Sequence, residues 1–232
     1  MSTGASPAST SQTPAAGAAP AAPEAPKPPV IGLPHMSKAE LGLFRQVVAG
    51  LRAYSEFGIG GSTRLAIESG IKRVVSVESD KAWLDAAGSH PLLAEAVADG
   101  RLSLLHGDVG PTRAWGAPSD PKTKHLWPGY WQRPWAIWSQ ERRVPDLIFV
   151  DGRFRVACAL AALQFARSFG AGPEQYRIVI HDFGRSRAYY DPVLQFLDVA
   201  EKAESLVVLK ARAAIDPGTL SDALSQFSLD TR

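Results

Sequence analysis

Residues 56–63 read Glu-Phe-Gly-Ile-Gly-Gly-Ser-Thr and hold an acid, three glycines and two hydroxyls. Glycine lets a backbone turn sharply and approach a ligand closely. Amides at a following helix start can donate to an anionic group. Glu56 stands two residues before Gly58, where an acid can receive the ammonium of an amino-acid-like ligand. Glu78 lies twenty residues beyond Gly58; a carboxylate there can accept two hydrogen bonds from a ribose diol. Further on come Asp151-Gly152 and His181-Asp182. Carboxylates brought close together repel unless a cation or a proton sits between them. Mg²⁺ prefers such oxygen ligands, and His181 suits either a ligand or a general base. Arg153, Arg155, Arg185 and Arg187 follow these acids. Arginine forks match carboxylates and phosphates, which suits an acidic substrate. Each feature has a plainer alternative: an ordinary tight turn, a solvated strand-end acid, a hydrogen-bonded core histidine, or acids and arginines (Asp191 among them) paired with each other.

Positioning these residues takes a specific scaffold. Five short β-branched stretches are expected as strands, at 53–57, 73–78, 102–106, 146–150 and 177–181. Helical spacing is expected at 38–51, 63–69, 81–98 and 155–169, the first with Ser37 as N-cap and Glu40 completing a capping box. Strand and helix in alternation imply right-handed crossovers and a doubly wound, mostly parallel α/β sheet. Residues 196–203 and 206–213 are separated only by Glu204-Ser205. Parallel strands need a crossover of about a dozen residues, so these two should form an antiparallel terminal hairpin. That makes seven strands, closed by a helix over 217–227 with Asp216 as its cap. In such sheets ligands sit beyond the carboxyl ends of the strands, where the glycine turn, Glu78, Asp151, His181-Asp182 and the four arginines would fall.

Residues 1–35 are expected to be a disordered tail and 36–232 the folded domain. The first 30 residues hold nine Ala and seven Pro and no large apolar side chain before Val30, so they cannot build a core. Residues 109–145 break the strand–helix rhythm. They carry five of the six tryptophans, and four prolines from Pro118 to Pro134. A long aromatic loop beside the binding edge reads either as a substrate wall or as a small satellite core. One cysteine, Cys158, excludes an intrachain disulfide, and its apolar surroundings point to packing. The net charge of +2 does not call for nucleic acid. No apolar run approaches the roughly 20 residues of a membrane helix. No secretory leader is recognisable, so a cytoplasmic setting is expected.

The acid-x-Gly-x-Gly at Glu56, Gly58 and Gly60 resembles the first motif of class I S-adenosylmethionine-dependent methyltransferases, with Ser62 where many members have a third glycine. The acid ending the second strand matches Glu78. Gly107-Asp108 resembles the family's adenine-contacting acid. The resemblance covers about residues 40–215. It implies a Rossmann-like methyltransferase fold, S-adenosylmethionine held by Glu56, Gly58, Gly60, Ser62, Glu78 and Asp108, and methyl transfer to a small acceptor, an oxygen by preference. Asp151 and Asp182 further resemble the metal ligands of the metal-dependent O-methyltransferases, which implies Mg²⁺ at these two residues. Phe183 stands where that group has Asp or Asn. Asp151, His181 and Asp182 are the candidate catalytic residues. Two rivals stay open. A nicotinamide-dinucleotide oxidoreductase would want Gly-x-Gly-x-x-Gly, and here the third position is Thr63. A non-catalytic cofactor- or partner-binding module could use the same fold.

Overall fold

The computed structural model of the chain describes residues 1, 3, 4 and 29–232. The first half runs α1 (Lys38–Val48), β1 (Ala53–Phe57), α2 (Gly61–Glu68), β2 (Arg73–Glu78), α3 (Lys81–Ser89), α4 (Pro91–Ala98) and β3 (Leu102–His106). An insert follows, with a ribbon of β4 (Thr112–Arg113) and β5 (Ala117–Pro118) and two short helices, α5 (Pro128–Gln132) and α6 (Trp135–Gln140). The second half is β6 (Leu147–Val150), α7 (Arg155–Ser168), β7 (Arg177–Ile180), β8 (Leu197–Ala203), β9 (Leu206–Ala211) and α8 (Pro217–Phe227). The main sheet has seven strands in the order β3-β2-β1-β6-β7-β9-β8. Its first five are parallel, while β9 pairs antiparallel with both β7 and β8. The doubly wound sheet and its terminal hairpin are therefore as the sequence implies.

Both faces of the sheet are covered. Phe44 and Val48 of α1, Leu65 of α2 and Leu93 of α4 pack on one face against Tyr54, Phe149 and Val208. Helices α7 and α8 pack on the other against Phe57, Ile148 and Ile178. The neighbouring strand residues alternate between faces, as a pleated backbone requires. Helix α7 is buried over most of its length. Its run of alanines lets it lie close to the sheet, which sets its first residue, Arg155, directly under the strand ends.

Several boundaries shift by a residue or two, and three of the differences have a local reason. The helix expected over 81–98 is two helices, because Pro91 takes the first position of α4 and His90 turns extended before it (φ −74°, ψ 123°). Helix α1 stops at Val48, ahead of Gly50 with its positive φ of 74°. Strand β6 begins at Leu147, and the carboxylate of Asp146 just before it accepts the amides of Arg52 and Ala53 (2.7 and 2.8 Å). Most of the expected tail, residues 5–28, lies outside the described residues. Residues 29–35 are described, and Ile31 is buried in the α1–α2 core.

The insert is mostly core. Trp127, Trp131, Trp138 and Tyr130 are buried, and Trp135 stacks on Phe165 with ring centroids 4.9 Å apart. Indole N–H groups of Trp127, Trp131 and Trp135 donate to the carbonyls of Val109, Ser228 and Trp131. Tyr130 sits between Phe57 and Phe154. Gly107 and Gly152 leave it room, since a Cβ on either would collide with its ring or its hydroxyl. Among the described residues that buried hydroxyl has no well-aligned hydrogen-bond partner. Tyr130→Phe is therefore expected to keep or raise stability, by at most about 1 kcal/mol. Tyr130→Ala should lose about 3–5 kcal/mol. Urea unfolding of the two variants checks both.

Candidate functional site

From β1 the chain steps outward to β2 and β3, then crosses back to β6 on the other side of β1. In a doubly wound sheet this opens a crevice at the strand ends. A cavity of about 490 Å³ lies there. Its floor is the glycine turn. Gly58 has φ +99°, and a Cβ on it would lie 2.8 Å from the amide nitrogen of Gly152. The turns after β1 and β6 are thus in contact, and only glycine permits it. Gly61 is as crowded: a Cβ there would strike the backbone of Leu33 and Pro34. Residues 30–35 run as a strap across the turn and wall one side of the cavity. Sequence reading placed them with the tail; the apolar Val30, Ile31 and Leu33 were the faint signal.

Of the residues expected to hold a cofactor, Gly58, Gly60, Ser62 and Glu78 line the cavity. Glu78 is nearly buried. It accepts the amides of Ile59 (3.0 Å), Ser79 (2.7 Å) and Asp80 (2.8 Å). Burial pushes its carboxyl above the usual range despite these bonds.

Glu56 and Asp108 are not in the cavity wall. Glu56 is fully buried beneath the turn and accepts hydroxyls from Tyr54 (2.9 Å), Ser62 (3.0 Å), Ser76 (2.6 Å) and Thr63. Its oxygens are consumed by the fold, so it does not meet a ligand directly. Burial, only partly offset by the four hydroxyls, pushes its pKa up to about 7. Asp108 is exposed and turns back to accept the amide of Gly110 (2.9 Å). Two tryptophans that motif reading did not single out for this site, Trp83 and Trp115, line the cavity instead. Trp115 is 68% exposed, and its carbonyl accepts from Arg153 Nε (2.8 Å).

The candidate catalytic residues do come together. Strands β6 and β7 are parallel neighbours, so Asp151 and His181-Asp182 emerge side by side, and all three line the cavity. His181 Nδ1 lies 3.1 Å from Asp151 Oδ1, and its Nε2 lies 3.6 Å from Glu40 Oε2. Burial works against an imidazolium, but Asp151, Asp182 and Glu40 outweigh it and raise the pKa of His181 above its usual 6.5. Glu40 had been read only as a cap. Its second oxygen holds the backbone amide of Ser205 (3.0 Å) and its hydroxyl (2.5 Å) in the β8–β9 turn. Although burial opposes ionisation, these bonds and His181 hold its carboxyl down to about 2.

The expected Mg²⁺ does not fit this arrangement. Asp151, His181 and Asp182 offer ligand atoms within 4.8 Å of one another. The buried guanidinium of Arg155 already lies 3.2 Å from Asp151 Oδ1 and 3.1 Å from Asp182 Oδ2. A divalent ion among these oxygens would face a permanent positive charge. Arg187 adds a second fork at 3.0 Å from Asp182. Arg153 also lines the cavity, with no carboxylate partner among the described residues.

No family model and no curated protein matches the chain. Among solved structures it is similar to a methyltransferase-like protein from Silicibacter pomeroyi. The two are 28% identical, with a TM-score of 0.67, over 84% of this chain and 96% of that one. More distant are an O-methyltransferase from Bacillus cereus in complex with SAH (16% identity, 78% and 84% covered, TM-score 0.47) and a candidate RNA methyltransferase from Pyrococcus horikoshii (14% identity, 76% and 81% covered, TM-score 0.40). Fold and crevice define a Rossmann-like α/β protein of the methyltransferase type. In fold and over nearly all of its described length, the chain is similar to that methyltransferase-like protein. Among the described residues, no helix is long and apolar enough to cross a membrane.

Glu56 gives the site a pH signature. Its carboxyl titrates near 4.5 when unfolded and near 7 when folded. The folded state therefore binds more protons in that window, and stability falls as pH rises through it. The loss is expected to be about 3 kcal/mol. His181, also raised, adds a decline of the same sign at higher pH. Glu78, raised by burial as well, adds to the decline with the same sign. Urea unfolding from pH 4.5 to pH 7 should show the slope, and Glu56→Gln should reduce it.

Proposed function

We propose that the protein transfers a methyl group from S-adenosylmethionine to an oxygen of a small, acidic acceptor. The observation that carries this reading is the single cavity wall shared by the glycine turn, Glu78 and the Asp151–His181 pair. Its volume of about 490 Å³ lies within the range of small-molecule sites. Glu78 holds the ribose, and Gly58, Gly60 and Ser62 form the bed for the amino-acid end. Glu56 acts from beneath, by fixing the shape of that bed. Trp83 and Trp115 offer aromatic faces to the base, in the role first expected of Asp108.

S-adenosylmethionine, when bound, supplies a methyl made electrophilic by the sulfonium. The chain must then align the acceptor and take its proton. Asp151 meets the acceptor hydroxyl at the cavity, and the proton passes to the Asp151–His181 pair. Asp182 and Glu40 stabilise the imidazolium that forms. Arg153, without a carboxylate of its own, receives the acceptor's anionic group.

Titration calorimetry tests the first step. S-adenosylmethionine should bind the full chain, and Glu78→Gln should weaken it about 10- to 100-fold. No heat at millimolar cofactor would reject the reading. Labelled methyl should reach small hydroxy acids and not bulk RNA; label on RNA would overturn the acceptor class. Because His181 must be neutral to receive a proton, transfer should rise with pH through its elevated pKa. A pH–rate profile of His181→Asn should lose that rise.

A further inference from the structure

Arg155 opens α7 with its guanidinium turned back into the loops after β6 and β7. Its Nε donates to the carbonyl of Gly152 (3.0 Å), and one Nη donates to the carbonyl of His181. The other Nη reaches the Asp151 carbonyl (3.1 Å), Asp182 Oδ2 (3.1 Å) and Asp151 Oδ1 (3.2 Å). Tyr190 covers its outer face, 5.4 Å from Cζ to the ring centroid. Only 5% of the residue is exposed. Every polar partner of this fork belongs to two strand ends that meet at the cavity.

Two carboxylates and an imidazole with ligand atoms within 4.8 Å are a donor set suited to a divalent ion. A spherical ion needs a shell of ligands around it. A guanidinium needs only oxygens at fixed angles in its plane, and it keeps its charge at any working pH. We infer that Arg155 is the built-in counter-ion of this site: it supplies from the chain the positive charge between Asp151 and Asp182, and it occludes a latent divalent-cation site formed by Asp151, His181 and Asp182. Arg155 is thus a positioning residue. It holds the proton-accepting pair in place, and the site works without metal.

Mn²⁺ titrations of the full chain, followed by the electron paramagnetic resonance of free Mn²⁺, test this directly. Wild type should leave Mn²⁺ free. Arg155→Met keeps the length of the stem and removes the charge. It should bind one equivalent, at least about tenfold more tightly than wild type. Adding Asp182→Asn to that variant should abolish the gain, and Arg155→Lys should stay metal-free. If Arg155→Met does not fold by itself, Mn²⁺ should restore a cooperative melting transition, because an ion that binds only the folded state stabilises it. Three results would overturn the inference: one Mn²⁺ bound by wild type and lost on Asp182→Asn, a folded Arg155→Met with no gain, or an unfolded one that Mn²⁺ does not rescue. The inference goes beyond methyl transfer, and its titrations need no S-adenosylmethionine. Failure of cofactor binding would remove the proposed activity and leave this result standing.

Discussion

Parallel strands that end side by side bring their last residues together, and here both ends are acids. A charge cannot stay in a partly dry crevice without a partner. The guanidinium of Arg155 answers that constraint by bonding carbonyls and carboxylates of both loops. The local backbone is shaped around it. Phe154 and Asp182, which flank the fork, both adopt left-handed conformations (φ 57° and 60°). Such conformations cost a non-glycine residue about 1–2 kcal/mol each, and the bonds to Arg155 offset that. Buried α7 then locks the arginine to the rest of the molecule.

On the other side of β1 the constraint is the reverse: a carboxylate without a cation. Glu56 has four hydroxyl donors, from Tyr54, Ser62, Thr63 and Ser76. These come from two strands and the first turn of α2, so the acid braces the junction that carries the glycine turn. One acid is thereby spent on holding the bed of the cavity, and the next, Glu78, is left at its wall. Burial lifts both carboxyls above their usual range, yet only one of them meets the crevice.

The insert and the strap frame this polar centre. Four of the insert's tryptophans pack against the sheet and α7, and the fifth, Trp115, remains at the cavity. The stretch therefore divides between the two roles its composition suggested. Packing needs a face that only the folded sheet provides, which is why the division could not be read from the sequence. Glu40 shows the same limit. Its capping box was legible from spacing alone. Its bonds to Ser205 join residues 165 positions apart, and its place behind His181 is equally beyond local pattern.

Strand and helix order, the terminal hairpin and the glycine turn were all carried by local pattern, and the nearness of Asp151 to His181-Asp182 followed from the parallel order of their strands. Alternation, turn residues and short connections act over a few positions, so the chain itself determines them. Which acid faces a ligand, and which cation sits between Asp151 and Asp182, were decided only by tertiary packing. Both depend on what else is buried within a few ångströms, and those neighbours come from distant parts of the chain.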